Sequence, residues 1–255
     1  MNKIQERQNH ILEILHDNDR MEVADLAKET GVSLVTMRKD LNALEEKKLI
    51  RREQGYAQIN TDTPLNRRIL TNYALKQRIA KSAAGMVSDG DTIMIEAGSC
   101  CLLFAQELAQ SKKDLTIITN SVYMAGQIGT YPNVHIILSG GDYQPDSMDL
   151  VGPAAIASLS TFHVKYFFSG TDGYDSEKGF TGDNLQRVEV LNKMASCADV
   201  TVLLIESSKF KQQGVLPLYR PEDIQLLVTD NQIPQTIEDD LTTQGIMILK
   251  AEAEQ

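Results

Sequence analysis

No run of about 18 apolar residues occurs in the chain, so no membrane-spanning helix is expected. The opening stretch, MNKIQERQNHILEIL, lacks the apolar core and small-residue cleavage site of a secretory leader. A cytoplasmic protein is the expectation. Cysteine is scarce: Cys100, Cys101 and Cys197 are an odd set of three. That fits reduced thiols and not a disulfide framework. No Cys-x-x-Cys pair is present, and neither His135 nor His163 stands at ligand spacing from Cys100 and Cys101. A metal centre would need three or four converging ligands, so no metal or other cofactor is expected. No internal repeat or low-complexity tract is visible.

What is present fits two domains, one small and one larger, within 255 residues. Apolar residues make up 42% of the chain, enough for a real core. The formal net charge of -10 argues at first against a nucleic-acid partner. Its distribution argues otherwise. Residues 1–60 hold ten Lys/Arg against eleven Asp/Glu, so the acidity belongs to the longer part. Residues 33–60 carry six basic and four acidic side chains, a local excess compatible with DNA.

Apolar spacing in the first sixty residues predicts helices. Ile4, Ile11, Leu12 and Leu15 form one stripe. Val23, Leu26 and Ala27 form a second, with Gly31 just past its end. Ser33 is a good N-cap for a third helix, whose Met37, Leu41 and Leu44 recur at i, i+4 and i+7. Two helices joined by a tight Gly-containing turn make a helix-turn-helix. LIRREQGYAQIN then reads as strand, Gln-Gly turn, strand, a β-hairpin wing. In such units the second helix enters the major groove. The candidate DNA-binding residues are therefore Ser33, Leu34, Val35, Thr36, Arg38 and Lys39 on that helix, with Arg51, Arg52 and Tyr56 on the wing. A plain three-helix unit with solvated Arg and Lys would show the same stripes.

The stretch RQNHILEILHDNDRMEVADLAKETGVSLVTMRKDLNALEEKKLIRREQGYAQI resembles the winged helix of the DeoR family of bacterial transcriptional regulators. The marks are Arg7-Ile11-Leu12, Val32-Ser33, and the run Thr36-Met37-Arg38-Lys39-Asp40-Leu41. This chain departs from the family at Leu34 and Val35, where polar residues are usual, and at Gln54-Gly55-Tyr56, where His-Gly-Gly is usual.

Asn60–Ile69 has no apolar period and carries Pro64, which suits a linker. One helix is expected from Leu65 to Asp89-Gly90. The resulting division is residues 1–60 as the DNA-binding domain, 61–75 as linker and start of a connecting helix, and 76–255 as an α/β effector-sensing domain. In that last part, strands are expected at Thr92–Glu96, Leu115–Thr119, Val134–Leu138, Val164–Ser169, Thr201–Glu206 and Leu226–Thr229. Helices are expected at Cys101–Gln110, Val122–Gly129, Ala154–Ser160 and Leu185–Cys197. Most of these strands are continuous apolar runs, as in parallel sheets covered on both faces. Met86, Met94 and Met124 read as core filler, and Ile237–Asp240 as a solvated helix start.

Ligands of such sheets bind beyond the carboxyl ends of strands. The residues there are small or hydroxylated: Ala97-Gly98-Ser99-Cys100, Thr119-Asn120-Ser121, Ser139-Gly140-Gly141, Gly170-Thr171-Asp172-Gly173 and Ser207-Ser208-Lys209. Ser99 is read as a cap for the helix that follows. Glycine allows close approach of a ligand to backbone, helix amides attract anions, and Lys209 adds a charge. This rim suits a phosphate or another small anion, although such turns are also ordinary loop chemistry.

GDTIMIEAGSC, LTIITNS, VHIILSGG, LVGPAA, GTDGYDSEKGFT and LLIESSKF look like the successive motifs of the DeoR C-terminal domain. The resemblance implies a fold related to ribose-5-phosphate isomerase, glucosamine-6-phosphate deaminase and coenzyme A transferases. It also implies a repressor of sugar catabolism controlled by a phosphorylated sugar. It places phosphate contacts at Gly98, Ser99, Cys100, Cys101, Asn120 and Ser121, and sugar contacts near Gly140, Asp172 and Lys209, with Lys76 near the pocket. Glu96 stands where Asp is usual, and Cys100-Cys101 where hydroxyl residues are usual. The expected partners are double-stranded operator DNA, a phosphorylated sugar, and further copies of the chain in a homodimer or homotetramer. Two other readings stay open here. One is an isomerase or deaminase with a DNA-binding head, using Asp172, Asp175 or Glu189. The other is a reactive thiol at Cys100-Cys101, activated by a helix N-terminus.

Overall fold

The computed structural model describes residues 3–18 and 20–251. They divide into two compact bodies, one ending at Ala74 and the other beginning at Leu75.

The first body contains helix α1 (Lys3–Asn18), strand β1 (Arg20–Glu22), α2 (Val23–Glu29), α3 (Leu34–Glu46), β2 (Ile50–Glu53), β3 (Tyr56–Ile59) and α4 (Pro64–Leu70). Ile11, Leu12, Leu15, Leu26, Met37, Leu41 and Leu44 are buried, as their periodicity predicts. Ile4, expected in the same stripe, is 49% exposed because α1 begins only one residue before it. Arg7 on α1 grips Asp40 on α3 through two parallel bonds of 2.5 and 3.2 Å. This locks the first helix to the third. The wing forms as expected, β2 pairing antiparallel with β3. Its turn residues Gln54 (φ +47°) and Gly55 (φ +87°) are both left-handed, the geometry that matches the twist of a two-residue hairpin. The short β1 adds a third strand beside β3.

The expected linker Asn60–Ile69 is not a simple linker. Thr63 caps Asn66 N at 3.1 Å, Pro64 occupies the first turn, and Leu65, Ile69 and Leu70 are buried. A helix this short shows too few turns for its period to stand out. The single helix expected from Leu65 to Asp89 is in fact two. The chain breaks at Thr71-Asn72, where Asn72 has φ +54°, and resumes as α5 (Tyr73–Ala84).

The second body contains β4 (Thr92–Ile95), α6 (Ser99–Ser111), β5 (Leu115–Thr119), α7 (Val122–Ile128), β6 (Val134–Leu138), β7 (Asp142–Gln144), β8 (Asp149–Val151), α8 (Gly152–Leu159) and β9 (Val164–Ser169). It continues with β10 (Gly173–Asp175), β11 (Gly179–Gly182), α9 (Leu185–Ser196), β12 (Ala198–Leu204), β13 (Leu216–Tyr219), β14 (Leu226–Thr229), α10 (Gln235–Thr243) and β15 (Met247–Lys250). Seven strands form a parallel sheet in the order β15-β14-β12-β9-β4-β5-β6. Register puts Ile118, Met94 and Phe167 side by side on one face, with the paired Leu203 and Leu227 on the same face two residues further along. That face is covered by Ala155 and Leu159 of α8, Val190, Leu191 and Met194 of α9, and Leu241 of α10. Phe168 faces the other way and meets Phe104 of α6 at 4.3 Å between ring centroids. Both faces are thus closed, which is why these strands read as unbroken apolar runs.

Two small antiparallel sheets, β7-β8 and β10-β11-β13, have no counterpart in the sequence reading. Their strands run three or four residues and lack a usable period.

Candidate functional site

In the second body the chain winds outward from the middle of the sheet. From β4 it passes to β5 and β6 on one side, and from β9 to β12, β14 and β15 on the other. The direction reverses between β4 and β9, so their carboxyl ends open a switch-point crevice. Glu96 leaves β4 into this crevice and is 2% exposed. Its Oε1 accepts the Gly170 amide at 2.6 Å, which ties the end of β4 to the end of β9. Its Oε2 accepts from Arg187 Nη2 at 3.3 Å. Arg187 Nε also lies 3.1 Å from Asp149 Oδ2, in ion-pair contact without hydrogen-bond alignment. Burial pushes the Glu96 carboxyl above its ordinary range, Arg187 and the Gly170 amide pull it back, and Asp172 and Asp149 push it up again. Burial works against the Arg187 charge, yet Glu96, Asp172 and Asp149 together raise its pKa. One guanidinium therefore serves three carboxylates.

The helix after β4 begins at Ser99, with Gly98 as its N-cap and no side-chain cap bond. Ser99, expected to cap, is instead the first helical residue. A Cβ at position 98 would stand 2.6 Å from Glu96 Oε1, so a larger residue at the cap position would displace that carboxylate. Cys100 and Cys101 are buried. Burial pushes the Cys100 thiol up to about 12, against the pull of Lys76 and Lys209 and with the push of Glu206. Burial and the nearby Glu96 also raise the Cys101 thiol well above its ordinary range, and its Sγ donates to Phe168 O at 3.7 Å. Burial outweighs the pull of the lysines at Cys100, which speaks against the reading of an activated thiol at a helix N-terminus.

The charges of Lys76, Glu206 and Lys209 all act on Cys100, in the first turn of α6. Lys76 is buried on α5, and Lys209 is half-buried with its Nζ donating to Gln212 Oε1 at 3.0 Å. Asn120 and Ser121 are committed within the protein. Asn120 Oδ1 accepts the Ala97 amide at 3.1 Å, and Ser121 caps α7 by accepting Met124 N at 3.0 Å. Gly140 is exposed, and Gly141 has φ +115° with no room for a Cβ, which would meet Val151 O at 2.4 Å. Asp172 Oδ2 accepts the Asp183 amide at 3.1 Å. A Cβ at Gly173 would meet Gln212 O at 2.4 Å, so this glycine serves packing. Of the carboxylates considered for proton transfer, Asp175 accepts two turn amides at 2.9 Å, which lower its pKa, and Glu189 is exposed on α9.

Sequence reasoning missed Arg187, Asp149 and Glu206 as members of this crevice. Arg187 lies two residues into a helix, where a basic residue reads as solvated. Only its neighbours across 91 and 38 positions reveal its role. Among the described residues no cluster of His, Cys, Asp or Glu is arranged to hold a metal ion, and no helix is long and apolar enough to cross a membrane.

In the first body, Ser33 caps α3 by accepting Thr36 N at 3.2 Å. Leu34, Val35, Arg38 and Lys39 are exposed on α3, and Thr36 is half-buried. The wing residues are engaged elsewhere. Arg51 pairs with Asp62, and Arg52 Nε donates to Glu45 Oε2 at 2.9 Å. Tyr56 Oη donates to Glu22 Oε1 at 2.6 Å, with Arg20 stacked 4.2 Å above its ring. Of these candidates, the basic groups without a partner among the described residues are therefore Arg38 and Lys39.

A winged helix-turn-helix followed by a parallel α/β body with a charged switch-point crevice defines a two-domain regulator that binds DNA. The chain matches the DeoR-like helix-turn-helix domain over residues 7–63 and the DeoR C-terminal sensor domain over residues 71–231. It belongs to the DeoR family. The HTH-type transcriptional regulator GolR of Listeria innocua is 32% identical over 97% of this chain and 98% of its own length. A putative aga operon transcriptional repressor of Escherichia coli is 26% identical over 96% of this chain and 93% of its own. Among solved structures, ribose 5-phosphate isomerase A of Methanocaldococcus jannaschii matches 55% of each chain at 20% identity, with a TM-score of 0.40.

Proposed function

We propose that this DNA-binding transcriptional regulator is a repressor of a sugar-utilisation operon, and that a phosphorylated sugar bound at the β4/β9 crevice releases it from its operator. The observation that supports this reading is the switch-point crevice itself, where the amino end of α6, without a side-chain cap bond, follows the carboxyl end of β4 and the charges of Lys76 and Lys209 act on Cys100 in its first turn. Two ammonium groups and the first-turn amides of a 13-residue helix make a local anion preference in an otherwise acidic body. Glu206, which also acts on Cys100, and Asp172, which acts on Glu96 and Arg187, would be the acceptors for sugar hydroxyls. The anion and the hydroxyl contacts thus come from separate groups, as a phosphorylated polyol requires.

Release needs an effector that binds the two arrangements of a homo-oligomer with different affinity. A homodimer or homotetramer would set two α3 helices on repeated half-sites. The edge strands β6 and β15 leave Leu138 and Met247 exposed, surfaces suited to such contacts. The relatives named as regulators and the turn commitment of Asp175 both favour sensing over turnover. A thermal-shift screen against phosphorylated sugars and sugar alcohols tests the site. A ligand at 100 times its Kd adds about 2.7 kcal/mol of stability. If no phosphorylated compound raises the melting point, the pocket reading fails.

A further inference from the structure

On α3, Val35, Arg38, Lys39 and Asn42 stand at i, i+3, i+4 and i+7 and are all exposed. They share the face opposite the buried Met37, Leu41 and Leu44. Val35 is 64% exposed at the head of this face, and Leu34, at its margin, is 45% exposed. Arg38 and Lys39 have no hydrogen-bond or ion-pair partner among the described residues, unlike Arg51 and Arg52 on the wing. An apolar side chain thus leads a face otherwise made of free cations and an amide. That combination matches one surface: the major groove at a thymine, whose C5-methyl is the groove's only apolar group.

We infer that Val35 reads a thymine methyl in the operator, and that Arg38 reads a guanine close beside it. The inference rests on the chain acting as a DNA-binding regulator. Valine suits the task because its branched side chain holds one strongly preferred rotamer in a helix. Its two methyls are fixed before contact, and little freedom is lost on binding. Arg38 supplies the two parallel donors that match guanine O6 and N7. Three residues advance along a helix by about 4.5 Å, and base pairs along the duplex by about 3.4 Å. The thymine and the guanine therefore fall within about two base pairs of each other in each half-site. Lys39, a quarter turn further, meets phosphate and contributes affinity without sequence preference.

The test starts from full-length protein and a random duplex library, from which bound sequences are selected. Each thymine of the enriched half-site is then replaced in turn by deoxyuridine, which removes only the methyl. One replacement should weaken binding about fourfold, the equivalent of about 0.8 kcal/mol for one buried apolar carbon. In Val35→Ala the thymine and uracil duplexes should bind alike, and in Val35→Thr, which keeps a methyl on the same branch, part of the difference should return. Val35 is a surface residue, so these variants keep the fold, and an unchanged melting point checks it. Uracil duplexes that bind the wild type as tightly as thymine duplexes at every position overturn the inference. So does a thymine preference that survives in Val35→Ala. If Val35→Asp instead changes the oligomeric state while thymine and uracil bind alike, the exposed valine serves a protein contact and the inference fails. If the library yields no enriched sequence at all, the regulator reading itself fails, which is a separate result.

Discussion

Arg187 Nη2 donates to Glu96 Oε2 at 3.3 Å, joining the first turn of α9 to the end of β4 across 91 positions of sequence. The pair is nearly closed to water, with 12% of the arginine side chain and 2% of the glutamate exposed. Asp149, fully buried, leans on the same guanidinium. Removing the cation strands these carboxylates. Arg187→Ala should lower the stability of the second body by about 3–5 kcal/mol at neutral pH, measured by urea unfolding. The sign of its pH dependence follows from Glu96. The folded-state pKa of that carboxyl is raised, so protonation favours folding at low pH and the benefit fades as the pH rises through the folded value. Without Arg187 the pull that offsets burial disappears, and the loss relative to wild type should be larger at pH 8 than at pH 5.

Lys209 lies on the 3-10 helix Ser207–Lys211, and its Nζ donates to Gln212 Oε1. Lys209→Ala should leave operator affinity unchanged and abolish release by the effector. Gel shifts with and without the ligand found by thermal screening will measure this. A variant that still releases normally would move the anion contact away from Lys209.

Cys100 keeps its proton throughout the physiological range, with its pKa pushed up to about 12 by burial. Iodoacetamide at pH 8 should label it slowly in the folded protein and rapidly in urea. Labelling at comparable rates in both would restore the activated-thiol reading.

Ser33→Ala removes the one side-chain cap of α3. The expected cost is about 1 kcal/mol in the first body. Because the cap also sets the entry angle of the recognition helix, DNA affinity should fall by more than the stability loss alone explains. Parallel melting and filter-binding measurements separate the two.

Sequence periodicity located the large elements because each buries a face. Val164–Ser169 and Leu115–Thr119 are read to the residue, since a strand covered on both sides is apolar from end to end. The motif that carried the family resemblance is legible for a different reason. Arg7 and Asp40 belong to it as an internal brace between two helices, not as DNA contacts. The crevice was legible at its backbone, in Gly98 and Gly170, and illegible in its charges. Arg187 and Asp149 meet only because β8 and α9 are folded against the ends of β4 and β9, and no local spacing encodes that. Thr63-Pro64 announced a helix start, yet α4 is seven residues long, too short for a stripe to separate it from a linker.

Gly98 and Gly170 come from different loops and press on the same atom. A Cβ at either would lie 2.6 or 2.9 Å from Glu96 Oε1. The three positions are therefore not free to vary one at a time. With glutamate at 96, a Cβ in either loop would force that carboxylate to shift from the Gly170 amide and Arg187 that hold it. With the shorter aspartate, the oxygen withdraws by about one methylene and both loops gain room. Substitutions at this crevice are therefore coupled: a side chain added at 98 or 170 is easier to accept once position 96 is shortened.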